Sequence, residues 1–207
     1  MGKIIYLMGK SSTGKDTLFK RLLENPPCTL QTVVPYTTRP IRDGEKQGVE
    51  YFFTDEEGYQ KLKKAGRLIE ERAYHTCHGL WRYFTVDDGQ IDLSEGNYAM
   101  IGTLEAYEKL KIYFGAENLC PVLVELDDGE RLQRALNRER MQEHPKFQEM
   151  CRRFLADAED FSEEKIAAAG INRRFYNDDL ERCFAEIRGY VLESVCNAQE
   201  MNRASGD

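Results

Sequence analysis

The first apolar run of the chain, Ile4-Ile5-Tyr6-Leu7-Met8, is continuous rather than alternating. That pattern belongs to a strand covered on both faces, as in a parallel sheet. It is too short for a signal peptide or a membrane span, and no later run reaches spanning length. A polar loop follows. Thr17-Leu18-Phe19-Lys20-Arg21-Leu22-Leu23 then places apolar residues at helical spacing, and Asn25-Pro26-Pro27 ends the helix. Leu30 to Tyr36 predicts a short strand. Tyr98 to Gly102 and Val122 to Leu126 return to buried-strand character, each followed by a helical segment. Ile171 to Tyr176 predicts the last strand and Asp179 to Ser194 the last helix, with a frayed tail after about Asn197. Two stretches differ in texture. Residues 35–92 are rich in Gly, Tyr, Phe and charge, with short pieces such as Tyr51-Phe52-Phe53 and a helix over Glu56 to Ala65 that stops at Gly66. Glu130 to Asp160 is almost continuously helical and crowded with arginine.

Alternation of buried strands and helices predicts an α/β fold: three layers built on a parallel sheet. A chain of 207 residues predicts a single domain. Its core would comprise residues 1–34, 93–136 and 159–196, with an inserted α+β subdomain over 35–92, a helical lid over 137–158 and a tail over 197–207. Hydrophobic residues at 41% suffice for a packed core and exclude a disordered chain. A net charge of −7 argues against nucleic acid or an anionic membrane as partner, but leaves room for a local cluster that binds an anionic small molecule. None of the six cysteines forms CxxC or a zinc spacing, which predicts reduced thiols and a cytoplasmic protein. Met1-Gly2 lacks the Ser or Thr of a myristoylation site, because the sixth residue is Tyr6. The oligomeric state is expected to be monomer or homodimer.

Gly9-Lys10-Ser11-Ser12-Thr13-Gly14-Lys15 lies directly between the first strand and the first helix. This is GxxxxGK in the setting that the motif requires. Backbone N–H groups of such a loop converge on phosphate oxygens, the helix N-terminus adds partial positive charge, and Lys15 reaches the β- and γ-phosphates. ATP is thus the expected donor, with Gly9, Ser11, Ser12, Thr13, Gly14, Lys15, Asp16 and Thr17 around it. The usual hydroxyl residue after the lysine is Asp16 here, with Thr17 next. Asp16 either binds Mg²⁺ or serves as a helix N-terminal charge without a metal.

Tyr36-Thr37-Thr38-Arg39-Pro40-Ile41-Arg42-Asp43-Gly44-Glu45-Lys46-Gln47-Gly48-Val49-Glu50-Tyr51-Phe52-Phe53 closely resembles the guanylate kinase signature TTRxxRxGExxGxxYxF. The resemblance runs from the first strand to the last helix. It implies a P-loop nucleoside-monophosphate kinase that uses ATP and Mg²⁺, with GMP as acceptor. Arg39, Arg42 and Tyr51 would hold the acceptor's phosphate, for which arginine forks and a phenolic hydroxyl are suited. Leu68-Ile69-Glu70 matches the place of the family's guanine-reading glutamate, so Glu70 is the candidate, with Glu71 next door. Other base-reading positions depart from the pattern. Pro35 replaces the serine before TTR, Gly79-Leu80-Trp81-Arg82-Tyr83 only distantly echoes the GNYYG run, and Ile101-Gly102-Thr103 stands where the family has DxD. Thr103 is kept as an acceptor-binding candidate. His75-Thr76-Cys77-His78 lacks a fourth ligand and is taken as polar surface rather than a metal site.

Arg131, Arg134, Arg138, Arg140, Arg152 and Arg153 crowd the predicted lid. By resemblance to RLxxRGxE and a downstream RL pair, Arg138 and Arg153 form the catalytic clamp with Lys15 and Arg42, and Arg134 is a lesser candidate. Asn177-Asp178-Asp179-Leu180 resembles VNDDL, which places Asn177 near the adenine of ATP; Asp178 or Asp179 would cap the last helix. Two other outcomes stay open. The lost base-reading carboxylate and the GKD loop also resemble ribose 1,5-bisphosphate kinase. Pro35 resembles the non-catalytic guanylate-kinase-like modules of scaffold proteins.

Overall fold

The computed structural model describes residues 1–42, 44–76 and 79–204. The run Ile4–Met8 forms β1, and all five residues are buried. Alternation along the strand sends them to opposite faces of the sheet. Ile4, Tyr6 and Met8 join a cluster with Leu104, Ala106, Tyr107 and Leu110. Ile5 and Leu7 join another with Leu18, Leu22, Cys183, Ile187 and Val191. A strand with two apolar faces therefore needs helices on both sides, and the chain supplies them.

In chain order the remaining elements are α1 (Lys15–Glu24), β2 (Leu30–Thr32), β3 (Tyr36–Thr37), β4 (Phe52–Phe53), α2 (Glu56–Lys64), β5 (Leu68–Thr76) and β6 (Gly79–Val86). Then come β7 (Asn97–Gly102), α3 (Leu104–Phe114), β8 (Leu119–Glu125), α4 (Asp128–Arg140), α5 (Phe147–Asp160), α6 (Glu163–Ala168), β9 (Arg174–Tyr176) and α7 (Leu180–Ala204). The main sheet has the order β2-β7-β1-β8-β9, and every pairing is parallel. Because β1 lies between β7 and β8, the chain leaves its C-terminal end at the point where strand order reverses, the usual ligand crevice of open α/β sheets. The second sheet, β4-β3-β6-β5, is mixed. Its small core joins Tyr59, Phe84 and Val86 to Tyr36, Leu62 and Leu68.

Three expectations about elements differ from what forms. Leu30 to Tyr36 is not one strand: β2 belongs to the main sheet and β3 to the second. The crossing includes Val34, whose N–H and carbonyl are both taken by the Gln90 side-chain amide (2.9 and 3.1 Å), and Pro35, which has no N–H for a ladder. The arginine-rich helix breaks into α4 and α5 around Pro145, where the Glu139 carboxylate accepts from the Lys146 N–H. The last helix continues to Ala204, past the expected tail boundary; Val195 to Ala204 contains no Gly or Pro to stop it.

Candidate active site

The loop after β1 wraps over the N-terminus of α1. Gly14 caps that helix in a left-handed conformation (φ 86°), and Gly9 has φ 152° with its α-carbon against the Val124 carbonyl, where a Cβ would collide. Both positions need glycine. Ser12 also takes positive φ (65°), which is uncommon outside glycine. Thr13 is buried and its hydroxyl donates to the Lys10 carbonyl (3.0 Å). Asn177, after β9, is buried too, and its amide donates to the Thr13 carbonyl at 2.7 Å. It therefore braces the loop from beneath. Helix α7 is capped by Asp179 instead, whose carboxylate accepts from the Arg182 N–H at 2.8 Å. Among the described residues, two buried side-chain oxygens of this region, Ser12 Oγ and Asn177 Oδ1, have no hydrogen-bond partner. Unsatisfied buried polar atoms are rare, and an ordered water, an ion or a ligand can supply the missing bond. Lys15 Nζ lies 3.6 Å from the exposed Asp16 carboxylate, and Thr17 is exposed beside it.

Helices α4 and α5 close over this loop. Arg138 and Arg153 line a narrow cleft together with Ser11, Ser12 and Phe154. Arg131, counted with the lid arginines, is not available to a ligand: only 1% of its side chain is exposed. It donates to the Ser11 carbonyl and to Asp128 and Asp157, and stacks on Phe154. Arg152 pairs with Glu149 on the surface. Asp157 has a place that no sequence motif announces. Its carboxylate accepts both from Arg131 (3.0 Å) and from the Ser11 N–H of the phosphate loop (2.7 Å).

The other half of the site is the second sheet. Arg39, 3% exposed, is gripped by both Glu45 oxygens at 2.8 and 2.9 Å and lies over the rings of Tyr51 and Phe53. Burial works against the charge on Arg39, but Glu45 and Tyr83 outweigh it and raise its pKa. In return, the Arg39 hydrogen bonds hold the Glu45 carboxyl below its usual range. Burial pushes the Tyr51 hydroxyl up, so it stays protonated and able to donate. Arg42 differs from Arg39: its N–H donates to Glu45, but its side chain is exposed.

Glu70 is buried, and both its oxygens are engaged. Arg72 donates to them through Nε (3.0 Å) and Nη2 (3.1 Å), and Thr85 donates through its hydroxyl (2.9 Å). Arg72 Nη1 points to Thr103 Oγ1 at 3.4 Å, which ties the second sheet to the C-terminal end of β7. Thr103 also caps α3 and accepts from the Tyr6 hydroxyl through its carbonyl. Glu71, the neighbouring alternative to Glu70, faces away and binds Lys63 and Tyr59. The chain thus forms one group of Glu70, Thr103, Arg72 and Tyr6 and another of Arg39, Tyr51, Glu45 and Tyr83. Glu45, Arg72, Tyr83 and Asp157 were not assigned site roles from sequence. Glu45 stands inside the signature run and Tyr83 in the run that echoes GNYYG, so both could have been; the places of Arg72 and Asp157 are revealed by tertiary contacts. Cys77 and His78 lie outside the described residues, and among the described ones no cluster of three His, Cys, Asp or Glu could hold a metal. Neither is any described helix long and apolar enough to cross a membrane.

Comparison with known proteins bears on the family and the fold. The guanylate kinase family profile matches residues 1–79. A guanylate kinase of Oleidesulfovibrio alaskensis is 30% identical over 94% of this chain and 88% of its own length. One from Parasynechococcus marenigrum is 29% identical over 92% of this chain and 98% of its own. The crystal structure of guanylate kinase from Anaplasma phagocytophilum superposes with a TM-score of 0.63, covering 94% of this chain and 86% of that one at 20% identity, which shows a shared fold.

Proposed function

The chain belongs to the guanylate kinase family, and on that premise we propose that it transfers the γ-phosphoryl group of ATP to the phosphate of a nucleoside monophosphate, GMP foremost. The observation that carries this reading is the convergence of Arg138 and Arg153 on the phosphate loop, with a buried, pre-oriented Arg39 held by Glu45 on the second sheet. Phosphoryl transfer needs little covalent help from a protein. It needs the two phosphates in line and positive charge on the transferring group, with water kept out. Backbone N–H groups of the loop and Lys15 would hold the ATP phosphates, and Ser12 Oγ and Asn177 Oδ1 would find partners on the bound nucleotide. Arg138 and Arg153 would neutralise charge as it shifts during transfer. Arg39, Arg42 and Tyr51 would aim the acceptor's phosphate, and Glu70 and Thr103 lie where its base would sit.

The residues at the helix N-terminus fit Mg²⁺. The ion prefers oxygen ligands, keeps several waters and needs few protein groups besides substrate phosphates. Asp16 and Thr17 supply such oxygens and would hold it with the phosphates. When bound, it adds positive charge at the transferring group.

A second reading keeps the chemistry and changes the acceptor to another phosphate-bearing molecule, such as ribose 1,5-bisphosphate. It is favoured by Glu70 being already engaged by Arg72 and Thr85. A coupled ADP-release assay with Mg-ATP against GMP, dGMP, AMP, UMP, CMP and ribose 1,5-bisphosphate separates the two. Turnover with GMP is expected. Turnover with the sugar phosphate alone would select the second reading, and no turnover with any acceptor would overturn phosphoryl transfer.

A further inference from the structure

A glutamate that reads guanine must offer its oxygens to the N–H donors of the base. In this chain that place is taken. The Glu70 carboxylate is 1% exposed and accepts three hydrogen bonds from within the protein, two of them from one guanidinium. A bidentate arginine–carboxylate pair is among the stronger and geometrically stricter interactions available. Breaking it in a buried setting leaves a charge uncompensated. Guanine would therefore have to displace Arg72 to be read by Glu70.

The same pair has a second consequence. A guanidinium carries five N–H donors. Glu70 takes Nε and one hydrogen of Nη2, and Thr103 Oγ1 lies near Nη1. Arg72 is thus locked at its Glu70 edge, and the hydrogens that Glu70 does not take lie on the side of Thr103 and Tyr74. Burial opposes the charge, but Glu70, Tyr6 and Tyr74 hold the Arg72 pKa above its ordinary value, so it remains a donor throughout. Hydrogen bonds from arginine to the O6 of guanine are a common means of reading that base.

We propose that Arg72 is the specificity-determining residue of the acceptor pocket, reading a 6-oxopurine nucleotide by donating to its O6, with Glu70 acting as the anchor for Arg72 and not as the reader of the 2-amino group. The inference rests on the proposed function in placing the base beside Glu70. Its substrate class is wider than GMP. Inosine monophosphate carries the same O6 and lacks only the 2-amino group. Adenosine monophosphate presents an amine donor at that position and would face Arg72 donor to donor. A site built to hydrogen-bond a group rejects ligands that leave its buried polar atoms unpaired.

The test is calorimetric binding of GMP, IMP and AMP to the full chain, run beside the turnover assay. GMP and IMP are expected to bind within tenfold of one another, and AMP at least tenfold more weakly than either. A tenfold or greater preference for GMP over IMP would overturn the inference, as would AMP binding within tenfold of GMP. Binding in this order without turnover would sink the proposed function and leave the role of Arg72 standing; absence of binding by all three sinks both. Arg72→Ala removes the O6 donor and frees Glu70 in one step. With Glu70 released, the GMP-to-IMP ratio is expected to rise above tenfold, while ATP affinity changes less than threefold. An unchanged ratio in a folded variant would overturn the assignment. Where that variant does not fold, the wild-type panel decides alone.

Discussion

The proposed donor side, around the phosphate loop, and the proposed acceptor side, on the second sheet, are built on opposite plans. Around the phosphate loop the chain leaves valences open: Ser12 Oγ and Asn177 Oδ1 are buried and unpartnered, and the loop is shaped by glycine conformations and backbone groups. On the second sheet the charges arrive already paired, Arg39 with Glu45, Arg72 with Glu70, Lys63 with Glu71 and Arg82 with Glu56. A backbone-built cradle keeps its shape when most side chains change, although the charge of Lys15 has no backbone substitute. A site built of side-chain pairs can alter its selectivity through one substitution. The comparison teaches where specificity is adjustable in this molecule and where it is not.

The sharpest way to break the comparison is at Lys15. Lys15→Ala removes a charge that no backbone group replaces, and kcat is expected to fall at least ~1000-fold with the fold intact. Loss of less than tenfold in single-turnover assays would mean that the loop does not engage the transferring phosphate. On the acceptor side, Glu45→Ala leaves a buried guanidinium without its carboxylate. The acceptor KM is expected to rise by roughly 30-fold while ATP binding is unchanged; an equal rise in both would show general damage instead. The same pair has a pH signature. The folded-state pKa of Glu45 lies below its unfolded value. Its stabilisation is therefore complete above about pH 4.3 and is lost as pH falls through the lower folded value. Thermal unfolding of the wild type should fall more steeply below that point than unfolding of Glu45→Gln.

A smaller effect sharpens the contrast from the donor side, because one of its valences is filled. Asp157 sits on the Ser11 N–H, where an anionic ligand would compete with it. Asp157→Asn keeps an acceptor for Arg131 and Ser11 but removes the negative charge that would oppose the phosphates of a nucleotide bound as proposed. ATP is expected to bind about fivefold more tightly by calorimetry. Unchanged or weaker binding would show that the carboxylate does not oppose the nucleotide. At the bottom of the scale, the exposed Lys61–Glu57 pair on α2 should contribute less than about 1 kcal/mol, so Glu57→Gln should leave the unfolding midpoint within error.

How much of this was legible in the sequence follows the same division. The phosphate loop declared itself because its shape demands glycine at fixed spacing between a buried strand and a helix, and β1, β7 and β8 announced themselves as continuous apolar runs. Arg39 and Tyr51 were found through a local signature. Arg72 was not, since its meaning depends on Glu70 across one turn of pleat and on Thr103 in another element. Arg131 was hidden too: it stood among six arginines with no role of its own, and its bonds to Ser11, Asp128 and Asp157 make it a strut. The split of Leu30 to Tyr36 was equally hidden, because the cause is Gln90, some fifty residues later.

That glutamine has a wider consequence. By holding both backbone groups of Val34, it fastens the chain leaving the main sheet to the chain returning from the second one, beside Tyr36 and Asp88, which bond each other at 2.8 Å. An insertion whose two ends are stapled side by side behaves as a cassette. Changes within it then reach the parallel sheet through the contacts of β5 with Thr103 and α3 rather than through its ends.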